Sequence, residues 1–172
     1  MNPITTKSAD TAYELLRLEN QLCFALYAST RAITKTYRQK LTPLGLTYPQ
    51  YLVLAVLWEH DGATISAIGE KLMLDSGTLT PLVKRLETMG LVQRRRGTRD
   101  EREVQVYVTD RGKGIRGPTQ DARRYVDGQL GMTEEQVRTL RSDLMDLIAR
   151  LQETAGISPR EEPLDTAERE AH

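Results

Sequence analysis

Cysteine is almost absent: Cys23 is the only one in 172 residues. That excludes an internal disulfide framework and a Cys-rich metal site, and leaves either a buried thiol or a reactive one. Histidine is nearly as scarce. His60 and His172 lie far apart with no ligand spacing around them, so neither a metal nor any other cofactor has support. Charge of one sign is not in excess, since 24 Lys and Arg balance 24 Asp and Glu, and any nucleic-acid footprint must therefore be local. No apolar run reaches membrane-spanning length, and the polar opening from Met1 to Asp10 lacks the apolar centre of a signal peptide. These absences point to a cytoplasmic protein without a membrane partner, of a length that favours one domain with one core.

What is present is helical periodicity. Over residues 11–41, Leu15, Leu18, Leu22, Leu26 and Ile33 recur at helical spacing, and Leu16, Phe24 and Ala25 add a second apolar side, the pattern of a helix that meets a partner. After Pro43 and Gly45, Thr47 and Gln50 have the spacing of a capping box with Pro49 in the first turn, so a short buried helix follows. Asp61 and Gly62 turn the chain, and Thr64 opens another helix with Ile65, Ile68 and Leu72 inward. Residues 76–89 carry Leu79, Leu82, Val83, Leu86 and Met89 on one stripe and leave a polar free face. Pro81 is expected near the first turn of that helix, and Gly90 is suited to end it. Residues 91–96 and 103–109, the second alternating Val104, Val106 and Val108 with polar neighbours, form a hairpin around an arginine-rich tip. From Gly112 to Gly131 the chain reads as a weak or kinked helix that firms up towards Leu130. Thr133 and Gln136 repeat the capping box, with Met132 set to staple on Val137. Leu140, Leu144, Leu147, Ile148 and Leu151 then make a long apolar stripe. A flexible start (residues 1–10) and a disordered acidic tail (157–172) flank a single domain over 11–156.

Two short helices, an amphipathic third and a basic-tipped hairpin follow the order of a winged helix-turn-helix, mainly α with a small β-hairpin wing. Charge agrees: residues 84–116 hold ten basic and five acidic side chains, a net +5. The first turns of the third helix would present Ser76, Thr78 and Thr80 to base edges in the major groove. Lys84 and Arg85 lie further along and suit phosphates. Arg102 at the hairpin tip suits the minor groove.

The run LDSGTLTPLVKRLETMGLVQRRR (residues 74–96) with TRDER (98–102) resembles the recognition helix and wing of the MarR family. LENQLCFALYASTRAITKTYRQKL (18–41) and LTYPQYLVLAVLWE (46–59) resemble that family's organic hydroperoxide resistance regulators, of the one-cysteine type. The resemblance implies a homodimer interlocked through helices at about 11–41 and 111–155, with a DNA-binding lobe at about 47–110 on each half of an inverted-repeat operator. It implies DNA contacts by Arg94, Asp100 and Arg102 in the wing, and a regulator rather than an enzyme.

Cys23 and Tyr27 stand one helical turn apart, so a phenol can lie within reach of the sulfur. Tyr37 and Tyr48 are further candidates; in the resembling family, tyrosines at the matching positions contact the sensing cysteine, some of them from the partner subunit. A thiolate held by phenol donors attacks an organic hydroperoxide to give a sulfenic acid. Without a second cysteine, that acid meets an external low-molecular-weight thiol, cyclises onto a backbone nitrogen, or oxidises further. Two alternatives stay open: a regulator released by a small aromatic ligand, with Cys23 structural, and a thiol peroxidase.

Overall fold

The computed structural model describes residues 13–96 and 103–155. The expectations for the two termini, and those for Asp100 and Arg102 at the hairpin tip, fall outside the described residues.

The single helix expected over residues 11–41 is interrupted. Residues 13–16 are helical, Leu18–Asn20 is one 3-10 turn, Gln21 is extended (φ −95°, ψ 115°), and α1 then runs Leu22–Leu41. Polar side chains account for the break. Asn20 Nδ2 donates to the Glu14 carbonyl and Gln21 Nε2 to the Leu16 carbonyl, each at 2.8 Å, so they occupy acceptors that a continuing helix would have paired through its backbone.

α2 (Tyr48–Glu59) starts as its sequence predicts, with Thr47 N–H donating to Gln50 Oε1 at 2.9 Å and Pro49 in the first turn. Val53, Leu54, Val56 and Leu57 on it are buried. α3 (Ile65–Leu72) is capped by Thr64, which accepts from Ala67 N–H at 3.1 Å; Ile68 is fully buried, and Ile65 and Leu72 are half-buried. α4 (Ser76–Thr88) buries Leu79, Val83 and Leu86 against them. Pro81 is its sixth residue, not part of the first turn. There it forfeits a backbone bond to the Gly77 carbonyl, a local loss that the buried stripe on either side of it outweighs. Gly90 (φ 72°) reverses the chain, and Leu91 N–H returns to the Leu86 carbonyl at 3.0 Å.

The expected hairpin gains a strand. β1 (Ala63–Thr64), β2 (Val92–Arg96) and β3 (Val104–Val108) form an antiparallel sheet in the order β1-β3-β2, with Ala63 and Arg94 both opposite Val106. Two residues are too few to show a period, which is why β1 had no signature. Asp61 fixes the turn before it, its Oδ1 accepting from Val108 N–H at 2.7 Å and Gly62 N–H at 3.1 Å.

The glycine-rich stretch is more helical than expected: α5 (Asp110–Gly114) and α6 (Arg116–Gln129) meet in a kink at Ile115. Gly112 is there for proximity, because a Cβ on it would lie 2.1 Å from the Leu91 carbonyl oxygen. Thr119, Ala122 and Val126 of α6 are buried, as are Tyr37 and Leu41 of α1, and Tyr125 Oη donates to Gln39 Oε1 at 3.3 Å between the two helices. α7 (Glu134–Ala155) opens on the expected capping box, Gln136 N–H donating to Thr133 Oγ1 at 3.2 Å. None of its described side chains is buried; Leu140 and Leu151 are each 48% exposed. No described helix is long and apolar enough to cross a membrane.

Candidate functional site

Cys23 is the second residue of α1 and is exposed. It stands on an open apolar surface, with Leu22 62% and Phe24 39% exposed. Tyr27 is one turn further on, but its phenol pairs elsewhere: Tyr27 Oη accepts from Arg31 Nη1 at 3.3 Å, and the guanidinium sits 5.5 Å from the ring centroid. Arg31 is also one turn from Tyr27, and a cation attracts both the phenol oxygen and the ring face. Among the described residues the Cys23 sulfur has no hydrogen-bond partner.

Tyr37 and Tyr48 come together at the other end of α1. Their ring centroids are 4.7 Å apart, and Tyr51 completes the cluster at 5.6 Å from Tyr37 and 6.0 Å from Tyr48. Burial pushes the Tyr37 phenol well above its ordinary pKa, Tyr51 and Tyr48 push it further, and the Arg123 guanidinium pulls it partly back. Tyr48 is raised by burial and by Tyr51. Both therefore stay protonated at neutral pH and keep an O–H to donate. Neither hydroxyl has a hydrogen-bond partner among the described residues. Because no buried side-chain oxygen among the described residues is left unsatisfied, both must reach the surface. Tyr37 lies beyond Cys23 on α1 by about 21 Å at ~1.5 Å of rise per residue, so this sulfur and this phenol do not meet within one chain.

On the lobe, Asp75 caps α4, accepting from Thr78 N–H at 2.9 Å and from the Thr78 hydroxyl at 2.6 Å. Those bonds hold the Asp75 carboxyl below its usual pKa. Ser76, Lys84 and Arg85 are exposed, and Thr78 and Thr80 are half-buried. Neither Lys84 nor Arg85 has a side-chain partner among the described residues. Arg94 differs from them: Glu87 accepts its backbone N–H at 2.9 Å and its Nε at 2.7 Å, and pairs with Nη2 at 2.6 Å. A guanidinium held in this fork stitches β2 to α4. Arg95, one residue on, lies 4.8 Å from the Tyr107 ring centroid.

Sequence reasoning missed Tyr51, Asp75 and Arg123. Tyr51 was within reach, three residues after Tyr48 on the same helix. Asp75 precedes Ser-Gly-Thr in the spacing of an N-cap. Arg123 had no signal, because its helix was itself only faintly expected.

Three comparisons bear on this geometry. The SarA/Rot family of transcriptional regulators matches residues 35–116. The organic hydroperoxide resistance transcriptional regulator of Bacillus subtilis is 43% identical over 83% of this chain and 97% of its own length. Among solved structures, reduced AbfR bound to DNA is 34% identical, with a TM-score of 0.67 over 83% of this chain and 99% of that one. A MarR family regulator from Rhodococcus sp. RHA1 is 25% identical, with a TM-score of 0.66 over 77% and 95%.

Proposed function

The chain belongs to the MarR family of winged-helix transcriptional regulators, in its organic hydroperoxide resistance branch, and from that premise we propose that it is a homodimeric repressor released from its operator when an organic hydroperoxide oxidises Cys23. The observation that carries the reading is the separation of an exposed thiol at the start of α1 from two unpartnered phenols, Tyr37 of α1 and Tyr48 of α2, that cluster towards its other end. A two-fold partner whose α1 runs antiparallel brings Cys23 of one subunit onto Tyr37 and Tyr48 of the other. Two O–H donors then favour the thiolate over the thiol. The uncovered faces of the N-terminal segment and α7 supply the apolar area for that pairing.

The chemistry is a displacement. The thiolate takes the terminal hydroxyl of the hydroperoxide as the O–O bond breaks, the departing alkoxide collects a proton, and Cys23 becomes a sulfenic acid. A small external thiol then condenses with it, releasing water and leaving a mixed disulfide, which a second thiol reduces. With no resolving cysteine in the chain, the return of Cys23 to its thiol depends on external thiols. The bulk of the adduct separates the phenols from sulfur and alters the spacing of two recognition helices that must sit about 34 Å apart. A coupling of about 3 kcal/mol suffices to weaken operator binding more than a hundredfold. Ser76, Thr78 and Thr80 face bases in this reading, Lys84 and Arg85 face phosphates, and Arg102 with Asp100 serves the wing.

A gel shift on the DNA upstream of its own gene tests this. Wild type is expected to bind when reduced, to lose affinity by about a hundredfold after cumene hydroperoxide in the presence of free cysteine as the small thiol, and to recover with dithiothreitol, while Cys23→Ser stays bound throughout. Release of Cys23→Ser by the same treatment, or retention by oxidised wild type, overturns the proposal.

A further inference from the structure

The aromatic cluster does not end at the phenols. Tyr51 also meets Trp58, with ring centroids 6.5 Å apart and planes at 59°. Trp58 Nε1–H in turn donates to the Gly112 carbonyl at 3.2 Å. Gly112 is pressed onto the Leu91 backbone so closely that a Cβ would lie 2.1 Å from the Leu91 oxygen. That same oxygen accepts from Thr109 N–H at 3.1 Å, and the Thr109 hydroxyl donates to the Gly90 carbonyl at 2.7 Å. The indole is thus bonded to the junction where α4 ends, β2 begins, β3 finishes and α5 starts.

We infer that Trp58 is a positioning residue that carries a displacement of the Tyr37 and Tyr48 rings to the recognition helix and the wing. This deepens the sensing role proposed above and rests on it. A close-packed interior answers displacement by switching between arrangements rather than by stretching. Tyr37, Tyr48, Tyr51 and Trp58 form one chain of ring contacts, and Trp58 has a single directional donor at its far end. When an adduct on the partner's sulfur lifts the first two rings, Tyr51 follows, and the indole must either leave Tyr51 or tilt its bond to Gly112. Tilting it moves the junction that orients α4 and β2 together.

Spatial continuity alone does not establish coupling, so the experiment measures it. Trp58→Phe keeps an aromatic ring against Tyr51 and deletes the donor. In the full-length protein, operator affinity is measured reduced and after cumene hydroperoxide with free cysteine, and Cys23 thiol is titrated once the small molecules are removed. The variant is expected to lose its thiol at the wild-type rate and to bind DNA normally when reduced. Its ratio of reduced to oxidised affinity falls by about five- to tenfold, the scale of one lost hydrogen bond. An unchanged ratio with the thiol consumed overturns the role of Trp58 while leaving the sensing reading intact; failure of wild type itself to release DNA overturns both. Trp58 is also the chain's only tryptophan, so wild-type fluorescence gives an independent readout if the variant does not fold. Emission is expected to change on oxidation in wild type and not in Cys23→Ser, and constant emission in oxidised wild type overturns the inference.

Discussion

The lobe over residues 47–109 and the helical segments flanking it share one apolar periodicity and end in opposite situations. In the lobe, Val53, Leu54, Ile68, Leu79, Val83, Leu86 and Val106 are each fully buried. At the chain's ends, Tyr13, Leu15 and Leu16 are each more than 70% exposed, and α7 has no buried residue among those described. A lobe packed in this way hides its apolar stripes within the chain, in a core it shares with Tyr37, Leu41, Ala122 and Val126. Amphipathic helices without a cover mark surface that a second molecule closes. The same sequence pattern therefore encodes packing within the chain in one place and packing between chains in the other, and only the fold distinguishes them.

Making the uncovered face polar without harming its helix would leave the lobe intact and abolish packing between chains. Leu140→Glu combined with Leu151→Glu keeps good helix formers on α7. The pair is expected to leave the chain folded by circular dichroism, to convert it to monomer by sedimentation, and to weaken operator binding by roughly a hundredfold or more as two half-sites are no longer gripped together. A variant that still sediments as a dimer with unchanged affinity would mean the exposed stripe serves something else. Within the described chain, the contrast sharpens at two glycines. Gly112→Ala drives a Cβ into the Leu91 carbonyl and is expected to destabilise by about 3 kcal/mol, the upper part of the overpacking range. Gly128→Ala, on an exposed stretch of α6 with no atom beyond its chain neighbours within 4 Å of the new methyl, is expected to stabilise by up to about 1 kcal/mol. Urea denaturation of both reads the difference directly.

How far the sequence could be read follows the same division. Caps and stripes are local, so Thr47 with Gln50, Thr64, Gly90 and Thr133 with Gln136 all announced their helices correctly. Interactions across the fold were not legible. Asn20 and Gln21 ended the first helical stretch by reaching back to carbonyls, although their neighbours kept the apolar spacing. Gly112 read as a helix breaker because its reason for being glycine is the Leu91 backbone, distant in sequence. At the candidate site, Tyr37 and Tyr48 were picked out and do cluster, while the count of basic residues that includes Arg94 gave no sign of its pairing with Glu87. Charge counts register sign and number, and they do not register which charges are already paired.

The smallest expected effect concerns the cap that starts the recognition helix. Asp75 accepts two bonds from Thr78, and the hydroxyl bond first, then the backbone bond, lowers its carboxyl pKa. A depressed carboxylate stabilises the folded state fully above its unfolded pKa, about 3.9, and that contribution drains away as pH falls through the lower folded value. Asp75→Ala should therefore melt slightly below wild type at pH 7, and the gap should start to narrow as the buffer falls beneath the unfolded pKa of about 3.9 and close below the lower folded value. Thermal scans of both proteins across that range check the sign. A gap that persists unchanged into acid would show that the cap acts through shape rather than charge, and that the order of α4 owes more to the packing of Leu79 and Val83 beneath it than to its first turn.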